Sequence, residues 1–371
     1  MKINYDFYTG KDEYCDGDIE KKILEYMDKY DEKDFEKVFE NDIRWPVFYH
    51  LTPLRKNILN WYPFKENAEV LEIGAGMGAI TGILCEKAGH VTSVELSKQR
   101  ASAIAKRCKD KENLEIIVGN FNHIKFDKKF DYITLIGVLE YAPLYTNTDN
   151  PFNDFLTYIK SLLKDDGKLL IAIENQFGMK YFSGANEDHT AKKYDGIVGY
   201  ENKNGIRTFG KEELNQILVR SGFEYTKFYY PMPDYKLPQK IFSDEYQPIE
   251  KVLDYKPYTS CNESVNFDEK EAYKDIIKNN MFGFFANSFF VECSSSRIDT
   301  YISFDNYRPI EMNEKSDKFF KENYLRENNE NQLNMENIEL KKENEKLKKD
   351  LYNIINSKSW RITKFLRREK K

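Results

Sequence analysis

The chain has 371 residues, more than one average domain needs, and 57 Lys and Arg against 62 Asp and Glu give it a net charge of −5. That charge is uneven: residues 356–371 hold seven basic residues and one Glu, so the rest carries a surplus of eleven acidic charges, which argues against a broad nucleic-acid surface. The five cysteines, Cys15, Cys85, Cys108, Cys261 and Cys293, form no C-x-x-C pair, which excludes a disulfide frame and a zinc site; no metal is expected.

No apolar run reaches the roughly 20 residues of a membrane span, and the first residues lack the apolar core of a secretory signal. A cytoplasmic protein is expected. Residues 1–66 read as a mainly helical lid, acidic at first and then aromatic and proline-punctuated in "RWPVFYHLTPLRKNILNWYPF". From residue 67 to about 300, short β-branched runs alternate with helical ones, the signature of a parallel α/β sheet. Strands are expected at "EVLEI", "HVTSVE", "NLEIIVG", "FDYITLIG" and "GKLLIAIE". Their unbroken apolar character fits burial on both faces. Two further strands, "EYTKFYYP" and "GFFANSFFVECS", complete a doubly wound, seven-stranded, mostly parallel sheet whose last strand pairs antiparallel. Two irregular inserts interrupt it, at about 176–207 and 232–281. Long loops of this kind are commonly functional, and these leave the carboxyl ends of the strands, where such sheets bind ligands.

The stretch "EVLEIGAGMGAITGILC" carries the most chemistry. "GAGMGA" fits the dinucleotide fingerprint, with Glu95 placed 21 residues after Gly74 to hold a ribose. Glu72 argues against a dinucleotide, because a carboxylate beside the turn repels a pyrophosphate. S-adenosylmethionine (SAM) has no phosphate, and its sulfonium and ammonium groups are attracted to acids. The glycines at 74, 76 and 78 let the backbone approach the methionine part. Glu95 is expected to accept both ribose hydroxyls, Asn120 and Phe121 to meet the adenine, and Gly137 to leave room for the sulfonium end.

With "VLEIGAGMG", "VTSVELS", "IVGNF" and "FDYITLIGVLEY" taken as a set, residues 68–294 resemble class I SAM-dependent methyltransferases, a Rossmann-like fold. Asn120 departs from the family, which most often has Asp there, but its amide oxygen still accepts from an adenine amino group. Met77 is expected only to pack. The loop "GVLEYAPLY" lacks the Asn-x-Pro-aromatic motif of adenine-methylating enzymes, which weakens an RNA base methyltransferase reading although the first half of the domain resembles those enzymes.

"SGANEDHTAKKYDGIVGY" and "YYPMPDYKLPQKIFSDEY" resemble methyltransferases associated with bacterial surface-polysaccharide glycosyltransferases. That resemblance implies O-methylation of a surface glycan or its lipid-linked precursor, with glycosyltransferase partners. A sugar hydroxyl loses its proton as the new bond forms, so a general base helps. Of the four histidines, His90 and His123 are expected to be structural and His50, with Tyr49, to pack within the lid. His189 is the base candidate, oriented by Asp188 or Glu187, and Glu174 is the alternative. Tyr141, Asn175, Asp188, Arg207, Asp234 and Tyr235 are the expected acceptor contacts. A scaffold with a vestigial fold is the non-enzymatic alternative.

Within 317–356, Leu333, Leu340, Leu347 and Ile354 recur every seven residues, with Asn337, Asn344 and Leu351 four residues after each Leu. That is a coiled-coil seam, and Asn at two a positions favours a parallel homodimer. The basic tail 357–371, "NSKSWRITKFLRREKK" with its preceding Asn, is expected to lie on an anionic membrane surface, making the protein peripheral on the inner face.

Overall fold

The computed structural model describes residues 1–12, 17–202, 205–249, 253, 255, 266–300, 309–311, 344 and 346–349. Its centre is a sheet of nine strands: β1 (Lys2–Phe7), β2 (Glu69–Ile73), β3 (His90–Glu95), β4 (Leu114–Gly119), β5 (Phe130–Ile136), β6 (Leu163–Glu174), β7 (Tyr225–Met232), β8 (Lys240–Ser243) and β9 (Ser288–Ser294). Their spatial order is β1-β4-β3-β2-β5-β6-β9-β7-β8. The pairings from β1 through β6 are parallel, whereas β6–β9, β9–β7 and β7–β8 are antiparallel.

The expected seven-stranded sheet is thereby corrected to nine strands of mixed orientation. Both additional strands lie at edges. The polar run "KINYDF" makes β1 beside β4, so the N-terminal segment is not helical at its start. The four-residue β8 closes the other edge beside β7. The expected last strand, β9, lies antiparallel between β6 and β7.

The register explains why the central strands read as continuous apolar runs. Successive side chains point to opposite faces, and both faces are covered. Leu71 and Ile73 join Ile133, Leu135 and Ile171 in one core, while Val70 joins Val91, Tyr132 and Leu170 in the other. A third core lies in the N-terminal layer, where Ile23, Phe35, Phe48, Leu51 and Leu54 pack with Met77, Ala103 and Leu237. Met77 packs in this core, and it also lines the cavity described below, so packing is not its only contact. The layer is fastened to the helix Lys98–Arg107: Glu20 pairs with Arg100 at 2.6 Å, and Arg107 donates to the His50 carbonyl at 2.5 Å.

The first insert contains the helix Met179–Ser183, and the second contains β8 and the helix Glu269–Lys278. Of the heptad segment, only Asn344 and residues 346–349 are described; they are helical, and Leu347 at a seam position is exposed. The rest of the expected coiled coil and all of the basic tail lie outside the described residues. No described helix is long and apolar enough to cross a membrane. Cys85, Cys108 and Cys293 are free thiols, all buried.

Candidate functional site

The carboxyl ends of β2 to β6, the N-terminal layer and both inserts enclose a cavity of about 570 Å³. Gly74, Gly76, Glu72, Glu95, Asn120, Phe121 and Gly137 all line it. The turn after β2 is tight because of its glycines. Gly74, Gly76 and Gly78 have φ of 72°, 57° and 76°, a region that costs little only without a Cβ. Gly78 is the exception among the expected cofactor residues, since it does not reach the cavity wall. A Cβ on it would meet the Ile104 backbone at 3.1 Å, so its task is close packing of turn against helix.

Glu95 ends β3 with its carboxylate already fixed. One oxygen accepts from the Gly76 amide at 2.7 Å and the other from the Ser97 amide at 2.9 Å. Burial raises its pKa, against the pull of Arg100. Each oxygen keeps a second lone pair for a ligand hydroxyl. Glu72 is also buried, and its Oε2 accepts from Thr81 at 2.7 Å and Ser93 at 2.6 Å. Burial pushes its carboxyl up to about 7, although those hydroxyls pull it down. The Asn120 amide oxygen accepts from the Asn122 amide at 3.0 Å, and Phe121 packs edge-on against Phe155. Gly137 has φ of 69°, and a Cβ there would lie 2.7 Å from the Tyr235 hydroxyl.

The other part of the cavity gathers the charged groups of the first insert and of the loop after β7. Tyr141, Glu174, Asp188, His189 and Tyr235 all line it. The His189 imidazole stands between Tyr141, whose hydroxyl is 3.2 Å from Nδ1, and Glu174, whose Oε2 is 3.5 Å from Nε2. Burial works against a charge on this ring, but Glu174 outweighs it, and the pKa rises to about 9. Glu187 holds the backbone rather than the ring, accepting from the amides of His189 and Thr190 at 2.7 Å each. Asp188 faces two lysines, Lys180 at 2.8 Å and Lys236 at 2.5 Å, so it does not orient the imidazole.

Asn175, Arg207 and Asp234, the other expected acceptor contacts, lie outside the cavity wall. Asn175 donates at 2.7 Å to the carbonyls of Phe284 and Ala286, tying β6 to the chain before β9. Arg207 pairs with Glu213 at 2.9 Å and lies over the Phe209 ring. Asp234 pairs with Lys180 at 2.6 Å. None of the three lines the cavity. His90 and His123 are likewise absent from the wall. His50 lines it, and burial beside Arg100, Arg55 and Arg107 pushes its pKa well down, so its imidazole is neutral.

Three residues of this region were not legible in the sequence. Lys236 bridges Glu174 and Asp188 at 2.5 Å each, and it holds the Glu174 carboxyl well below the usual range despite burial. Glu140 is 1% exposed; burial and the Glu174 charge push its carboxyl up to about 8. Glu140, Glu174 and His189 each offer a donor atom within 4.8 Å of the other two, a set that can take up a divalent cation in place of protons. Arg55 is the third, a buried guanidinium in the lid.

Residues 71–171 match a family model described as a methyltransferase domain. An uncharacterized methyltransferase of Staphylococcus carnosus is 37% identical over 132 residues, 36% of this chain and 58% of that protein. A ribosomal RNA small subunit methyltransferase A of Fusobacterium nucleatum is 38% identical over 184 residues, 48% of this chain and 64% of that protein. The chain thus spans less than two thirds of the length of these curated relatives. Among solved structures, phosphoethanolamine N-methyltransferase 1 of Haemonchus contortus, bound to phosphoethanolamine and S-adenosylhomocysteine, aligns with a TM-score of 0.40 at 15% identity, covering 76% of this chain and 50% of that one. The stretch 71–171, which holds the acid-led glycine turn and Glu95, is a SAM-dependent methyltransferase domain.

Proposed function

We propose that this protein transfers the methyl group of SAM to a hydroxyl oxygen of a saccharide, a surface glycan or its lipid-linked precursor. The observation that carries the reading is the Tyr141–His189–Glu174 row in the wall of the cavity, half-buried at Tyr141 and His189 and buried at Glu174. Transfer is an in-line displacement: the acceptor oxygen bonds to the methyl carbon, and the carbon–sulfur bond breaks with its electron pair going to sulfur. The hydroxyl proton goes to the ring of a neutral His189, and Glu174, which faces Nε2, stabilises the imidazolium so formed. Glu95 holds the ribose, Glu72 and the glycine turn the methionine part, and Asn120 and Phe121 the adenine.

The saccharide reading draws on the composition of the wall. Trp45, Tyr49, Tyr141, Tyr145 and Tyr235 supply aromatic faces, and Glu140, Glu174 and Asp188 supply acceptors for hydroxyls. In this reading the heptads of 317–356 pair two copies and the tail 357–371 holds them at an anionic membrane surface. An RNA base is the other acceptor class to test, given the identity to a ribosomal RNA methyltransferase, although the acidic body opposes it.

The test is transfer of labelled methyl from SAM to a panel of nucleotide- and lipid-linked saccharides and to ribosomal RNA. The expected product is an alkali-stable methyl ether on a saccharide, and His189→Ala should lower the rate by about 10²–10⁴-fold. Label entering RNA and no saccharide would overturn the assignment.

A further inference from the structure

Among the described residues, Arg55 is a buried cation without an anion. It lies in the 3-10 turn Pro53–Lys56 of the N-terminal layer, is 6% exposed, and lines the cofactor cavity together with the turn Gly74–Ala75–Gly76. Its Nε and Nη1 are buried and have no hydrogen-bond partner. Among the described residues no carboxylate forms an ion pair with it. Its neighbours make the surplus worse. Arg100 and Arg107 are also buried, Glu20 is committed to Arg100, and Glu32 is shared between Arg107 and Lys56. His50 adds no negative charge, and the Tyr49 ring, 3.9 Å below the guanidinium, offers only its π face.

A desolvated guanidinium with unmade hydrogen bonds is costly to the free protein. Such a group persists where a ligand supplies the missing charge. SAM carries one carboxylate, on the methionine part that the glycine turn receives. We infer that Arg55 is the receptor for the methionine carboxylate of the cofactor, clamping it with charge-assisted hydrogen bonds. The inference rests on the SAM reading of the cavity and extends it to the lid. The N-terminal layer then belongs to the cofactor site itself, because its helix-turn segment supplies the charge that the sheet side, with Glu72 and Glu95, cannot.

The test compares two nucleosides that differ at this group. S-adenosylhomocysteine has the carboxylate; 5′-methylthioadenosine lacks the whole amino-acid end. Both are titrated into the full chain and into Arg55→Met. The variant should bind S-adenosylhomocysteine about 10–100-fold more weakly, the worth of a charge-assisted contact. It should bind methylthioadenosine unchanged, which also certifies its fold. Without ligand, Arg55→Met should melt at or above the wild-type temperature, because an unpaired buried charge is gone. Equal losses for both nucleosides, or S-adenosylhomocysteine affinity kept within about twofold, would overturn the assignment while leaving the cofactor reading intact. Wild-type protein that binds neither nucleoside would overturn both.

Discussion

His189 shows how a neighbour sets a residue's chemistry. Its pKa is raised to about 9 because the Glu174 charge outweighs burial. A base must be unprotonated to act, so the active fraction grows as pH rises toward 9. The expected profile of kcat/KM therefore climbs between pH 7 and 9. Glu174→Gln removes the charge that raises the pKa, so the climb should move to lower pH while the maximal rate falls. A profile that is flat from pH 6 to 9 in the wild type would show that His189 is not the base. The same pairing bears on stability. A histidine whose folded pKa is raised contributes stability that is fully present below its unfolded value near 6.5 and is lost as pH rises through about 9. Chemistry and stability thus pull in opposite directions over one pH window.

At the scale of elements, the site is assembled by charge across parts of the chain far apart in sequence. Lys180 and Lys236 tie the first insert, through Asp188, to the end of β6 and to the loop after β7. Lys236→Met would leave Glu174 and Asp188 short of a buried partner, a loss of about 3–5 kcal/mol in denaturant unfolding. A change below about 1 kcal/mol would mean that Lys180 alone carries the cluster. The strands β2 to β6 were legible in the sequence because two-sided burial leaves an unmistakable apolar run. The glycine turn and Glu95 were legible because their spacing is local. β1 was not, since "KINYDF" alternates without a strongly apolar face and becomes a strand only by pairing with β4. Lys236 and Glu140 were not legible either, because a buried charge looks like any surface charge until its distant partners are known. Arg207 and Asp234 pair with Glu213 and Lys180, away from the cavity wall, which the sequence alone does not show.

At the scale of the molecule, a lid, a sheet and two inserts close around one cavity. The sheet side carries Glu72 and Glu95, the N-terminal layer carries Arg55, and the first insert brings His189 against Tyr141 and Glu174. Every proposed role requires the cavity to be a SAM site held by Glu95. The most direct measurement is calorimetric titration of SAM and S-adenosylhomocysteine into the full chain and into Glu95→Ala, with thermal unfolding to confirm that both are folded. Micromolar binding of both ligands at one site per chain, weakened at least tenfold in Glu95→Ala, is expected. A folded wild-type protein that takes up neither ligand, or a variant that binds as tightly as the wild type, would contradict it.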